Sequence, residues 1–492
     1  FEVIKHPLHG DSFNPNEGIG NWGMYKRAVL IDNNAIGLTP NTGGPAVVIK
    51  LPLKISFGLT STVGGTALPF TIGHAFKKGD IPAGKYLTSD AATFQVDVRN
   101  RWSDGSIKFA VLSGTKTLTA NTKATVNLSL TTTAPSGTNI AEPSYSVLGN
   151  HQVIINGTTY SAGDAAYNNI YNWTTWDKSR AWKVRQILGP VMSEFHYYVP
   201  TSDAHLCIWW YVRVYADRTE VETCIEQGWL AVANPTQKNY TVTVKVGGTQ
   251  RYTGSLKHRH HTRWSRRDWV GTDPQIFPSH DRAYLVRTDM IPNYANVTVP
   301  STTLDINTVG MNDFVQTITT PMESIGNYET DGTSGGFHAW LGLLSRIDAT
   351  YAINGDARAY KAMLVDEQAY NICQINGNSG FVQRDENTGL PAAPTDHRKQ
   401  SYNNYYAGTY PDAYVVLGTN TDPFKWNTDI AHAGNAGYMA YLATGRWFSL
   451  ETVQFNLATE FLNCAPPYMD AFDSLNRILT GQDRAGAWMM RT

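Results

Sequence analysis

The sequence predicts an α+β chain of several domains, with an antiparallel β-sandwich first and an array of α-helices after it. Three observations carry this. Short runs of β-branched and aromatic residues, separated by turn residues, recur along the first 315 positions. Beyond them the hydrophobic period changes from that of a strand to that of a helix. The chain of 492 residues is also long enough for about two to four domains of ordinary size. The expected divisions are an irregular arm over 1–45, a β-sandwich domain over 46–315 and a helical domain over 316–492.

The arm is rich in Gly, Asn and Pro and has little periodicity. Strand-type runs follow at 46–57, 93–99, 107–113, 124–130, 151–155 and 241–246. The clearest hairpin spans 206–226. Leu206, Ile208, Trp210, Val212 and Val214 alternate with Cys207, Trp209, Tyr211, Arg213 and Tyr215, and the apolar set is expected to face the core. A two-residue turn at Asp217 and Arg218 would set Arg213 opposite Glu222 and Cys224 opposite Tyr211. In that register Cys207 and Cys224 do not meet, so no disulfide is expected between them. The segment from Arg101 through Trp102, Asp104 and Gly105 to Ser106 reads as a turn entering a strand.

The run 257–267 is different. It packs Lys257, His258, Arg259, His260, His261, Arg263, Trp264, Arg266 and Arg267 into eleven positions. It reads as a solvated basic loop, or as a surface for an acidic polysaccharide, a nucleic acid or a protein. Its histidines lack a neighbouring carboxylate to complete a metal site, so no metal is expected.

In the second half, Trp340, Leu344, Ile347 and Tyr351 fall on one helical stripe within 338–351, and 356–372 and 450–462 also read as helices. A further helix is expected over 429–445, with Asp429 as N-cap and Gly445 as C-cap. Its polar edge carries His432, Asn435 and Tyr438 at three-residue spacing.

Composition narrows the function classes. Forty basic against 41 acidic side chains leave a net charge of −1, which argues against a general nucleic-acid binder. Charged residues are only 16% and aromatics reach 12%, a balance that suits β structure and sugar-stacking rings. No run of 18 apolar residues occurs, so no membrane-spanning helix is expected. The chain opens on Phe1 without a basic-then-apolar leader, and a processed or shortened start is the expectation. Cys207, Cys224, Cys373 and Cys464 are far apart and lack zinc-type spacing.

Several motifs stand out together: Leu68, Pro69, Phe70, Gly73, Phe76, Gly79, Asp80 and Pro82, then Arg101 to Ser106, and Arg213, Tyr215, Asp217 and Glu222. Three more follow: Arg384, Asp385, Glu386 and Gly389; the His432 segment ending in Gly445; and Arg484, Trp488 and Arg491. These motifs resemble those of exo-rhamnogalacturonan lyase-like proteins, including phage-borne relatives. The resemblance implies a β-sandwich followed by an (α/α) toroid. The chain after Pro321 is short for a complete ring, so a partial toroid is expected.

Chemistry then assigns the roles. Eliminative cleavage of a uronate polymer needs a base, an acid and groups that neutralise the carboxylate. His432, Tyr438 and His338 are the expected catalytic residues. Arg384, His397, Arg398 and Arg484 suit the substrate carboxylates, because guanidinium grips them bidentately. Tyr402, Trp340 and Trp488 complete the expected sugar site, and His258, His260 and Trp264 its wall from the β part. No cofactor is required. The expected partner is an acidic polysaccharide, not nucleic acid or membrane, in a secreted or virion setting where homo-oligomers or virion assembly fit. The alternative is a non-catalytic structural or glycan-binding protein of a virion or cell surface.

Overall fold

The computed structural model describes residues 55–165, 170–230, 237–258, 260–294, 343–372, 382–392, 435 and 437–462. The expected arm and the expected change of domain near 315 lie outside them. The strands are β1 (Ile55–Ser61), β2 (Gly65–Ala75), β3 (Tyr86–Ser89), β4 (Thr93–Arg101), β5 (Ile107–Leu118), β6 (Ala124–Thr131), β7 (Gln152–Ile155) and β8 (Thr158–Ser161). They continue as β9 (Trp182–Ile187), β10 (Ser193–Pro200), β11 (Cys207–Val214), β12 (Thr219–Gln227), β13 (Lys238–Val246), β14 (Thr249–His258), β15 (Thr262–Val270) and β16 (Ile276–His280). Every strand-type run named from the sequence falls on a strand where it is described, the 151–155 run from Gln152 onward. The helices are α1 (Tyr145–Leu148), α2 (Arg282–Arg287), α3 (Arg346–Asn354), α4 (Ala357–Ile372), α5 (Tyr438–Thr444) and α6 (Trp447–Leu462).

The described chain is mostly antiparallel β-sheet. Four sheets run in the orders β16-β1-β6-β3, β15-β12-β11-β10-β9, β14-β13-β7-β8 and β2-β5-β4. They share cores in pairs, in a sandwich-like way. Phe195, Ile208, Trp210, Val212 and Ile225 of the five-stranded sheet meet Val153, Val242, Val244 and Leu256 of β7, β13 and β14. Ile55, Phe57, Val126 and Leu128 of one remaining sheet meet Phe70, Ile72, Ala110 and Leu112 of the other. Burying such side chains from both faces is the dominant stabilising contribution, each worth about 1.5–3 kcal/mol.

The 206–226 hairpin forms, but in a register two residues from the expected one. Arg213 pairs with Glu220, Tyr211 with Glu222 and Trp209 with Cys224. The turn centres on Ala216 and Asp217, with the Tyr215 N–H donating to Arg218 O at 2.9 Å. Arg218 ends the turn, and its guanidinium reaches Asp217 and the Thr272 carbonyl. A two-residue slip keeps each side chain on its face, so Ile208, Trp210 and Val212 still point inward. Cys207 and Cys224 are buried free thiols, as the spacing requires. Arg101 to Ser106 is the expected turn, with Asp104 Oδ1 accepting from the Ser106 N–H and Oγ.

The helices pack on this β framework. Leu344, Ile347 and Tyr351 form the anticipated stripe and join Met363, Met439 and Leu442, together with Phe109 of β5 and Phe277 of β16. The helix of the stripe starts at Arg346 and not before, because the Ser345 hydroxyl accepts from the Asp348 N–H. Of the expected helix over 429–445, the described part is helical only from Tyr438. Asn435 is not helical, and Gly437 at φ 84° sets the start of α5 at Tyr438. Gly445 at φ 61° closes it, as a C-cap glycine should.

Candidate functional site

The chemically richest surface among the described residues is one face of the five-stranded sheet. Because side chains alternate along a strand, Glu220, Glu222, Cys224 and Glu226 of β12 all point to this face. The ladder sets Glu194, Arg213 and Glu220 in one row, and His196, Tyr211, Glu222 and Arg267 in the next. Tyr198, Trp209, Cys224 and Ser265 form a third row, and Cys207, Glu226 and Arg263 a fourth. The face is covered: Phe448 of α6 joins Tyr198, Trp209, Tyr211 and Trp229 in a core of its own.

Arg384 is the pivot of one half. Its N–H donates to Gly228 O at 2.7 Å, and the Leu230 N–H donates to its carbonyl at 2.9 Å. The tight turn after it, with the Gly389 N–H on Asp385 O and Gly389 at φ 69°, is what the Arg384 to Gly389 motif builds. The guanidinium is 0% exposed. Its Nε and Nη2 grip Glu226 at 2.6 and 2.9 Å, and Nη1 reaches Glu451 at 3.0 Å and Gly389 O at 2.8 Å. It also lies 4.5 Å from the centre of a Trp209 ring. Arg263 mirrors it from β15, donating to Asn371, Glu451, Phe448 O and Thr452 at 2.7–3.0 Å. The Tyr211 hydroxyl donates to Glu451 at 2.5 Å.

Arg213 anchors the other half. Its Nε donates to Glu194 at 2.6 Å, and its Nη atoms cap the C-terminus of α5 through the Thr444 and Gly445 carbonyls at 3.3 and 3.0 Å. His196 lies 2.7 Å from the other Glu194 oxygen. Arg446 bonds Glu220, and Arg267 sits 3.4 Å from Glu222.

Burial alone would raise the carboxyls of Glu451 and Glu194. The guanidiniums override it: Arg384 and Arg263 hold Glu451 down to about 2, and Arg213 with His196 does the same for Glu194. Between Glu194, Glu220, Glu222, Arg446 and Phe448 remains a cavity of about 10 Å³, room for a single water and far below a sugar ring. The chemistry this face performs is cohesive. It fastens α5, α6 and the 382–392 segment to the sheet.

The structure places the expected site residues as follows. His338, Trp340, His397, Arg398, Tyr402, His432, Arg484 and Trp488 lie outside the described residues. Arg384 is inside the network just described and offers no face to a ligand. Tyr438 opens α5 and donates its hydroxyl to Met290 O at 2.7 Å, and burial pushes that hydroxyl up to about 12. The 257–267 run is not a solvated loop. It is the β14–β15 connection, and His258, His260, His261, Arg263 and Trp264 are buried. His258 has both ring nitrogens engaged, with Tyr240 Oη at 2.7 Å and Thr262 O at 3.0 Å. Burial lowers it to about 4, and burial together with His261 lowers His260 well below its ordinary value. Trp264 is part of the inner sheet core. None of the three forms a solvent-facing wall, because each lies against other elements or satisfies itself internally. Among the described residues no group of three or more His, Cys, Asp or Glu side chains is placed to hold a metal ion.

Sequence reasoning passed over Glu194, Glu220, Glu226, Arg263 and Glu451 as one constellation. The signal was present: acidic residues at 220, 222 and 226 share the strand period, as do the arginines at 263 and 267. No protein-family model matches the chain, and no curated protein sequence matches it either.

Proposed function

We propose that this chain is a polysaccharide lyase-like enzyme that cleaves an acidic, uronate-containing polysaccharide by β-elimination. Its β-sheets support a helical part that carries the chemistry. The observation that supports the reading is the order of layers: sheets over 55–280, then helices from 346 to 462 docked on them. That order agrees with the β-sandwich and partial (α/α) toroid implied by the resemblance. In this reading His432 takes the proton α to the uronate carboxyl, and the carbon–oxygen bond β to it breaks as the double bond forms. His338 returns a proton to the leaving oxygen. His397, Arg398 and Arg484 neutralise the carboxylate, Tyr402 hydrogen-bonds the sugar, and Trp340 and Trp488 stack on its rings. Arg384 moves from substrate contact and Tyr438 from catalysis to support, since their polar atoms end on protein groups. An extracellular or virion-surface setting belongs to the same reading.

A second reading, a non-catalytic structural or glycan-binding protein, draws on a specific observation. All five expected site residues that are described (Tyr438, Arg384, His258, His260 and Trp264) are enclosed or engaged internally. One experiment separates the two. Uronate polymers are incubated with the protein, and the ultraviolet absorbance of an unsaturated uronate product is followed. The lyase reading expects product, lowered roughly 100-fold or more in His432→Ala with an unchanged circular dichroism spectrum. Absence of product on every polymer, with binding retained, supports the second reading.

A further inference from the structure

On the covered sheet face, every one of five guanidiniums has a carboxylate partner. Arg213 is paired with Glu194, Arg446 with Glu220, Arg267 with Glu222, Arg384 with Glu226 and Arg263 with Glu451. Glu367 of α4 is a further carboxylate at this seam, and it forms none of these ion pairs. Its side chain is buried, at 1% exposure. Oε2 accepts from the Ser449 hydroxyl of α6 at 3.0 Å, and Oε1 has no hydrogen-bond partner. The charges that face it are Glu222 from β12 and Arg263 and Arg267 from β15. Asp348 of α3 is coupled to it as well, and to Asp366 of α4. Arg263 has its donors committed to Asn371, Glu451, Phe448 O and Thr452, and Arg267 spends Nη2 on Glu222. Asp348 is itself buried with Oδ2 unpartnered, so it adds no compensation.

We propose that Glu367 is held as a neutral carboxylic acid between α4, α6 and the sheet, and that its ionisation is a built-in switch that loosens α4 as pH rises. An ionised carboxylate with one bare oxygen in this place has lost its water and gained no cation. Burial first, and the charge of Glu222 second, push the Glu367 carboxyl from 4.5 up to about 7. Burial, then Asp366 and Glu367, push Asp348 the same way. The sign follows from linkage. A carboxyl raised on folding contributes stability fully below pH 4.5 and loses it as pH rises towards 7. This is opposite to Glu451 and Glu194, whose contributions disappear on acidification. The helix that loosens carries Asn371, which accepts from Arg263 at 2.8 Å, so the switch acts on the contact between α4 and the sheet.

The test compares wild type with Glu367→Gln, which keeps the shape and cannot ionise. Denaturant unfolding and α4 amide hydrogen exchange are followed from pH 4.5 to 8. In wild type the folding equilibrium constant should fall up to about 150-fold more than in the variant across this range. Exchange from α4, corrected for intrinsic rates, should rise with it only in wild type. Equal pH dependence in both proteins overturns the proposal. Should the variant not fold, wild type alone decides. With glutamate 13C-labelled at the side-chain carboxyl, which separates it from Asp348, infrared spectra should show one protonated glutamate that persists above pH 5 and fades near pH 7. Absence of that band also overturns it.

Discussion

Glu451→Gln removes one negative charge from the centre of the buried network while nearly keeping its volume. The carboxylate receives Arg384 Nη1 and Arg263 Nη1, each at 3.0 Å, and the Tyr211 hydroxyl at 2.5 Å. Arg384 would keep Glu226 while Arg263 would lose its carboxylate partner, and the new amide N–H₂ would point a donor at a donor. Breaking a buried ion pair by neutralising one partner costs about 3–5 kcal/mol. The titration of the same group gives a second route. A fully buried carboxyl brought from 4.5 down to about 2 prefers its charged form by about 3 kcal/mol. The two agree, so a loss of about 3–4 kcal/mol is expected at pH 7 in urea or guanidinium unfolding. The difference between variant and wild type should shrink as pH falls from 4.5 towards 2, because wild type then loses the same charge. Lys116→Gln, which breaks the partly exposed pair with Asp90, is the control and should cost under about 1 kcal/mol. A cost for Glu451→Gln no larger than that of the control would refute the idea that this network fastens α6 to the sheet.

Acid should unfold the protein through the same groups. Glu194 and Glu451 both lie at about 2 in the folded chain, so their contributions are present above pH 4.5 and vanish as pH falls below it; a circular dichroism melt series from pH 6 to 2 should show Tm dropping through that window. Gly73→Ala should loosen α5 from β2. An added Cβ would sit 2.5 Å from the Leu442 carbonyl oxygen and 2.8 Å from that of Tyr441, and overpacking against backbone costs about 1–3 kcal/mol. Stability equal to wild type would mean that α5 does not lie this close to the strand.

The sequence by itself placed part of the strands and three of the helices. Period-two runs placed β4, β5, β6, β7 and the 206–226 hairpin, and the stripe of Leu344, Ile347 and Tyr351 marked a helix, because local periodicity and burial of one face are recorded in consecutive residues. Gly445 was legible as a helix end, since a left-handed φ is a local demand. Gly437 was not, because many glycines tolerate positive φ and only the packed chain selects which adopt it. The turn of the hairpin sits one residue earlier than expected, which shifts the pairing by two, and there Arg218 meets the carbonyl of Thr272, a partner remote in sequence. The largest difference lies in the charged residues. Arg213, Arg263 and Arg384 suggested solvent or a ligand, yet each is enclosed, with acidic partners 19 to 188 positions away. Whether a charge is buried depends on whether opposite charges from other elements converge on it with good geometry. That convergence is set by how β12, β15, α6 and the 382–392 segment come together, so tertiary structure alone decided it.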